Sequence, residues 1–163
     1  MVRSIVIGLA VACMLASAQS RFIQAELVSG IKMKKAKVGD PVKAQTTVDA
    51  TLADGTSIPA GSILLGQLRS VEPNAVSISF DAWQNGGKKT PLKLSIRAAM
   101  MPSSGDHGGR NPQRAAATTG SVIGLDGVTL KVDDAGQAPT RFESAQGELK
   151  IEKGLQLMLA PPE

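Results

Sequence analysis

Residues 38–68 read VGDPVKAQTTVDATLADGTSIPAGSILLGQL, and this stretch decides the fold. Gly39 and Asp40 break the chain before Pro41, which has no N–H for a ladder and can therefore only begin or edge a strand. From residue 42 to residue 48, apolar or small side chains alternate with polar ones, which is the pattern of a half-buried strand. The alternation predicts one buried face formed by Val42, Ala44, Thr46 and Val48.

Two further turns lie in the same stretch. Asp54 and Gly55 form the first, because glycine readily adopts the positive φ that such a turn needs. In the second turn, Pro59 is predicted at position i+1 and Gly61 at position i+3. The strand that follows contains Gly66, which indicates a β-bulge or the close approach of a neighbour. The predicted structural turn residues are Gly39, Asp40, Pro41, Asp54, Gly55, Pro59, Gly61 and Gly66.

The most regular pair of strands is predicted at residues 76–83 and 92–98. Both segments alternate apolar and polar side chains, and Asn85-Gly86-Gly87 between them is typical of a hairpin loop. Trp83, at the end of the first strand, is expected to pack in or beside the core; the alternative is an exposed platform for a stacking ligand. The predicted core positions of the pair are Val76, Ile78, Phe80, Leu92, Leu94 and Ile96.

Short strands separated by turns fill the rest of the chain. They are predicted at residues 22–27, 120–125, 128–132, 140–144, 148–152 and 155–159, a rhythm typical of a sandwich or barrel. The 163 residues include 17 glycines and 9 prolines but only 2% aromatic residues, which favours many turns and an aliphatic core. We therefore predict one all-β domain, a small β-barrel or β-sandwich of short, mainly antiparallel strands.

The first 18 residues are predicted to be a signal peptide. Arg3 precedes an apolar run at residues 5–15, and Ala16-Ser17-Ala18 provides a cleavage signal of small residues. The run is shorter than the ~20 residues that span a bilayer. A minor alternative is a lipoprotein acylated at Cys13, which follows an imperfect lipobox. The domain at residues 19–163 is therefore expected to be exported to the periplasm or the extracellular space.

Charge and cysteine content limit the functions open to the mature chain. Cys13 is the only cysteine and is lost with the signal peptide, so no disulfide is expected. Loss of Arg3 lowers the net charge of +4 by one, and such a weakly basic balance does not indicate a nucleic acid partner.

A lysine run follows the first predicted strand. The run is a candidate contact for an anionic surface, such as lipid head groups or envelope polymer. The alternative is a solvated loop, because no aromatic side chain is interleaved to contact a base or a sugar. The candidate contact residues are Lys32, Lys34, Lys35 and Lys37.

No catalytic motif stands out. His107, the only histidine, lies in a Gly-, Ser- and Pro-rich stretch at about residues 101–117 that predicts a flexible loop. The sequence has no Gly-x-Ser-x-Gly elbow, no phosphate-binding glycine loop and no calcium loop. An uncharacterised hydrolase built on Asp40, Asp54, Glu72 or Asp81 is a remote alternative, because most of these acids lie at turns or strand ends. We predict a non-catalytic protein with no cofactor, no metal and no catalytic residues.

The turn motifs resemble those of a known family. Gly39-Asp40-Pro41-Val42-Lys43-Ala44, then Asp54-Gly55, Ile58-Pro59-Ala60-Gly61-Ser62 and Leu65-Gly66, resemble the periplasmic β-barrel domain of the TrbI-like conjugation proteins. Those proteins build the outer-membrane complex of type IV secretion systems. Residues 148–159 are similar to the closing strands of that domain, so the resemblance covers most of residues 25–159.

The resemblance implies a barrel fold, an envelope setting and a structural or scaffolding role. Its implied partners are other envelope or secretion-system proteins. The family inserts an apolar, membrane-crossing helical hairpin where this chain has the polar residues 103–113, so the resemblance does not imply transport. The second function that the sequence supports is binding of an anionic glycan or lipid through the lysine run and Trp83.

Overall fold

Eleven β-strands run through the parts of the chain that the computed structural model describes, which are residues 22–101, 120–132 and 140–162. Those parts contain no helix long and apolar enough to cross a membrane. The strands are β1 (Ile23–Leu27), β2 (Pro41–Thr46), β3 (Ala50–Thr51), β4 (Ser57–Ile58), β5 (Ile63–Glu72), β6 (Ala75–Asn85), β7 (Lys88–Met100), β8 (Ser121–Ile123), β9 (Val128–Lys131), β10 (Thr140–Ser144) and β11 (Gln156–Ala160).

Several sequence predictions lie outside the described residues. They are the signal peptide with its cleavage site, the lipobox at Cys13, His107 and residues 102–117 of the predicted flexible loop. The first residue of that loop is described. Met101 packs against the core, and its N–H donates to the carbonyl of Ile123 at 2.9 Å. Met101 itself is therefore anchored to the barrel.

Six strands close into an antiparallel barrel, which confirms the all-β prediction. Around the barrel the order is β7, β11, β1, β2, β5 and β6, and β6 pairs back onto β7. β1 pairs with both β2 and β11, so strands from opposite ends of the sequence are neighbours. The β6–β7 hairpin is confirmed: Asn85 pairs with Lys88, and Gly86 and Gly87 between them have positive φ.

β10 enters the barrel wall where β6 and β7 separate. β7 pairs with β6 from Phe80 to Asn85, whereas β10 pairs with the first part of β6 and places Thr140 opposite Ile78. Ile96 of β7 donates its N–H to Thr140 Oγ1 at 2.9 Å, and that hydroxyl lies 3.3 Å from the Ile96 carbonyl oxygen. A side chain thus supplies the hydrogen bonds that a neighbouring strand would otherwise make. Outside these strands, β9 pairs with β10, and β8 runs parallel to β7.

Side chains fill the interior of the barrel. Phe80 and Phe142 are the largest of the fully buried side chains, and aliphatic residues from every wall strand surround them. Of the six predicted core positions, Leu92 is half-buried and packs against the core. The other five are buried: Val76, Ile78, Phe80, Leu94 and Ile96.

Chain segments cover both ends of the barrel. Residues 28–40 precede β2 and residues 47–62 follow it, so the two segments lie at opposite ends. Residues 47–62 contain the short β3–β4 hairpin, and they bury Leu52 and Ile58 in the core. Residues 145–155 lie at the same end as residues 28–40, because Ile31 and Ile151 form an isolated β-bridge. We call these the lysine end (residues 28–40 and 145–155) and the hairpin end (residues 47–62).

The turn glycines of the deciding stretch adopt the left-handed conformation. Gly39, Gly55 and Gly61 have φ of +92°, +84° and +82°. The second turn differs from its predicted register, because the Ser62 N–H donates to the Pro59 carbonyl at 3.2 Å. Pro59 therefore occupies position i and Gly61 position i+2, where a type II turn requires positive φ.

Gly66 lies at an irregularity in the pairing of β5 and β6, where the backbone of β6 is close to it. The β5–β6 register shifts between Leu65 and Gly66. A Cβ atom at residue 66 would collide with the Ser79 carbonyl oxygen and lie 2.9 Å from Phe80 Cδ1. Glycine is thus needed at this bulge for lack of space and not for its φ.

Three predictions about strands are wrong in detail. β2 ends at Thr46, so Val48 does not continue its buried face and is 44% exposed. Residues 148–152 are not a strand, because Ile151 makes only the isolated bridge. The alternation predicted for residues 76–83 includes no bulge, whereas the β6–β7 register shifts between Phe80 and Ala82. Beyond this shift, Trp83 pairs with the buried Leu64.

Candidate functional site

The predicted lysine run lies on the surface of the lysine end, on a segment anchored by its own apolar residues. Lys32, Lys34, Lys35 and Lys37 are all exposed, whereas Met33 between them is buried in the core. The N–H groups of Lys35 and Ala36 both donate to the Lys32 carbonyl at 2.9 Å, which makes a tight turn. The structure thus presents the lysines on a folded loop.

A second segment, distant in sequence, lies beside this loop. The Ile31 N–H donates to the Ile151 carbonyl at 2.8 Å. Leu149 and Ile151 point into the core, and Lys150 between them is exposed. Gly30 allows the contact, because a Cβ there would lie only 2.9 Å from the Ile151 oxygen.

The two segments line a groove with a volume of about 510 Å³, which we call the lysine groove. Five lysines and two glutamates line it, so the groove carries an excess of positive charge. The net charge of the whole chain is only +4. Lys34 Nζ lies 3.6 Å from Glu148 Oε2, but both side chains are exposed and such pairs contribute little. The charged lining residues are Lys32, Lys34, Lys35, Lys150, Lys153, Glu148 and Glu152.

The side chains of the lysine groove suit diffuse attraction of anions. No arginine, histidine or aromatic residue is among the described residues that line it. Lysine is a compact, mobile charge without the bidentate fork with which arginine recognises carboxylate or phosphate. An aromatic face for stacking a sugar or a base is also missing from the lining. The groove can therefore attract the negative charges of a polymer backbone or of lipid head groups, without recognising a particular sugar or base.

The four acidic residues considered for catalysis each have a local partner. Asp40 and Asp54 accept backbone N–H groups of Lys37 and Thr56, both at 2.9 Å. The hydrogen bond from the Thr56 backbone N–H is the largest of the causes that lower the pKa of Asp54. The other two carboxylates bind arginine: Glu72 accepts from Arg141 and Asp81 from Arg69, both at 3.0 Å. Among the described residues, no group of His, Cys, Asp and Glu side chains could hold a metal ion.

A charge ladder crosses β9, β10 and the end of β5. Glu143 binds Lys131 Nζ and Arg141 Nε, each at 2.7 Å, and Arg141 also binds Glu72. The hydrogen bond from Lys131, followed by that from Arg141, lowers the pKa of Glu143. Hydrogen bonds to Glu143 and then to Glu72 raise the pKa of Arg141. These shifts are those of a structural ion network on the outer surface.

Trp83 packs against the core and is only partly exposed. Its indole Nε1 is buried and has no hydrogen-bond partner among the described residues. Core or rim packing therefore describes this side chain better than a stacking platform.

Sequence reasoning missed half of the lysine groove. Lys150 lies in the strand predicted at residues 148–152 and Lys153 directly after it, and neither is among the predicted contact residues. The alternation of buried Leu149 and Ile151 with exposed neighbours was visible in the sequence. It could not show that residues 148–153 lie beside residues 30–35, because that pairing is long-range.

Comparison of the chain with protein-family models, curated proteins and solved structures found no match. The structure alone therefore defines the class of protein: a small, closed all-β barrel with a basic groove at one end. The resemblance to the TrbI-like barrel domain stays a prediction.

Proposed function

We propose that the protein is a non-catalytic, exported module of the cell envelope with a structural or scaffolding role, as the resemblance to the TrbI-like domain implies. One observation carries the proposal. Buried side chains fill the barrel, and residues of its own chain cover both of its ends. Contacts with partners must therefore use the outer surface, as they do in a scaffold. The partners that we expect are other envelope or secretion-system proteins.

Site-specific photocrosslinking in intact cells tests the scaffolding role. A crosslinking amino acid is placed at exposed positions on several outer faces, including Lys150 at the lysine end and Lys89 on the opposite β6–β7 hairpin. We expect one face to give a discrete adduct whose partner mass spectrometry identifies as an envelope assembly protein. Absence of an adduct at every face, in cells that contain the folded protein, would contradict the proposal.

The lysine groove favours a second function, binding of an anionic glycan or lipid. Its five lysines line a concave surface formed by two separate segments, whereas a simple solvated loop would present its lysines without such a groove. Sedimentation with purified anionic envelope polymer and with anionic vesicles measures this activity separately from the crosslinking experiment. Binding should weaken as salt is added, because screening acts on exposed charges. Retention that does not depend on salt would contradict a site based on these lysines.

A further inference from the structure

A rigid turn at the lysine end displays an apolar side chain. The Asp40 N–H donates to the Lys37 carbonyl at 3.1 Å, and the Lys37 N–H donates to Asp40 Oδ2 at 2.9 Å. Gly39, at φ +92°, donates its N–H to the Leu68 carbonyl of β5 at 2.8 Å. Val38 occupies the apex of this turn and is 66% exposed. Its neighbours in the chain are thus fixed to one another and to the barrel, while its own side chain lies in solvent.

The same end carries a second exposed valine and the lysines. Val28, which follows β1, is 41% exposed, and its N–H donates to the Lys43 carbonyl of β2 at 3.0 Å. Lys32, Lys34, Lys35 and Lys37 lie between the two valines in the chain and are all exposed. Apolar side chains beside several lysines form the combination that binds the interface of an anionic bilayer.

We propose that the lysine end docks on an anionic lipid surface, with Val38 inserted among the head groups and the lysines in contact with lipid phosphates. This inference rests on the second proposed function and names its ligand as a lipid bilayer. A soluble polyanion would use the lysines but would gain nothing from an apolar apex held out in water. An acidic protein partner would also use the lysines, and it is one of the outcomes that the test separates.

Vesicle binding provides the test. The protein is purified from cells in its processed form. It is mixed with vesicles of equal parts phosphatidylglycerol and phosphatidylcholine, or with vesicles of phosphatidylcholine alone. Binding to the anionic vesicles and not to the neutral ones is expected. Because one lysine near an anionic membrane strengthens binding about fivefold, the double variant Lys34→Gln/Lys35→Gln should bind about 25-fold more weakly. The control Lys88→Gln/Lys89→Gln removes the same charge from exposed positions on the opposite hairpin and should bind like the unchanged protein.

Val38 decides between a bilayer and other anionic ligands. Val38→Asp should weaken binding to anionic vesicles about tenfold or more, because it removes an inserted apolar group and adds a negative charge. The matched control is Val48→Asp, because Val48 is 44% exposed at the hairpin end. An environment-sensitive dye on Val38→Cys should shift its emission to the blue with anionic vesicles, and the same dye on Val48→Cys should not.

Three results would overturn the proposal. The first is no binding to anionic vesicles at low salt. The second is an equal loss of binding for the lysine-end and opposite-end variants, which would indicate nonspecific attraction. The third is binding to soluble polyglutamate that is as tight as vesicle binding and unaffected by Val38→Asp, which would assign the end to an acidic polymer or protein. In that third case the anionic-ligand function would survive in another form, and the crosslinking experiment would still test the scaffolding role.

Discussion

Phe80 is, with Phe142, one of the two largest fully buried side chains in the described residues. Its side chain is 1% exposed, and a core side chain of this size is costly to remove. Phe80→Ala should lower the free energy of unfolding by about 3–5 kcal/mol, because it empties the centre of a filled barrel. Denaturant melts measure this change.

Asp81, the next residue, is the control for Phe80. Its carboxylate binds Arg69 on the outer surface at 3.0 Å, and both side chains are partly exposed. Asp81→Ala should cost only about 0–1 kcal/mol, since exposed ion pairs contribute little. Equal damage from the two substitutions would show that the inner and outer faces of β6 are assigned wrongly.

Glycine is required at residues 66 and 61 for two different physical reasons, crowding at Gly66 and backbone conformation at Gly61. An added Cβ at Gly66 meets the backbone of β6, whereas at Gly61 the nearest atom is Gln45 Nε2 at 3.9 Å. Gly66→Ala should therefore cost about 3 kcal/mol or more by overpacking, and Gly61→Ala about 1–2 kcal/mol for its left-handed backbone. Thermal and denaturant melts rank the two variants. A Gly61→Ala variant less stable than Gly66→Ala would contradict the close approach at the bulge.

Among the elements, β10 is joined to the backbone of β7 through one hydroxyl. Thr140 is 1% exposed and bonds the backbone of Ile96 where β7 has left β6. Thr140→Val keeps the shape but leaves buried backbone groups without that partner, so it should cost about 1–3 kcal/mol. Amide exchange at Ile96 should accelerate in the same variant.

Thr140→Ser is the matched variant, because it retains the hydroxyl and loses a methyl group. Exchange at the Ile96 amide should stay slow in Thr140→Ser. If Thr140→Val and Thr140→Ser protect that amide equally, the hydroxyl is not its partner.

The charge ladder on β9 and β10 predicts a pH dependence. Because Lys131 and Arg141 lower the pKa of Glu143, the ionised carboxylate stabilises the fold above the ordinary glutamate pKa of about 4.3. This stabilisation is lost as the pH falls through the lowered pKa of the folded state. Glu143→Gln should lower the Tm at neutral pH, and its difference from the unchanged protein should shrink in acid.

A second substitution checks the source of that pH dependence. Lys131→Met should lower the Tm less in the Glu143→Gln background than in the unchanged protein, because its partner carboxylate is already gone. A Tm difference for Glu143→Gln that stays constant from neutral to acid pH would rule out the ladder as its cause.

Elements formed by neighbouring residues could be predicted from the sequence, whereas contacts between residues far apart in the chain could not. The β6–β7 hairpin follows from two alternating segments around Asn85-Gly86-Gly87, all within one short window. By contrast, nothing near Thr140 shows that it bonds Ile96, and nothing near Lys150 shows that it lies beside Lys32. The irregularity in the β6–β7 pairing could not be predicted for a related reason. The register shift between Phe80 and Ala82 depends on strand curvature, and the alternation of apolar and polar residues does not encode curvature.

At the scale of the whole molecule, the predicted export leaves a measurable trace at the N-terminus. Ala16-Ser17-Ala18 predicts cleavage after Ala18, so mass spectrometry of the exported protein should find Gln19 as the first residue. An intact Met1 would contradict cleavage, and an acylated Cys13 would establish the lipoprotein alternative.

The position of β11 between β1 and β7 has a consequence for the order in which the protein folds. The barrel cannot close before Ala160 has been synthesised, because until then the facing edges of β1 and β7 have no partner strand. Pairing strands so far apart in sequence is slow, and open edges attract other chains. During the predicted export, a chain whose β11 has not yet paired would be unable to close the barrel. The chain should therefore be most prone to associate with other chains in the interval before β11 pairs with both edges.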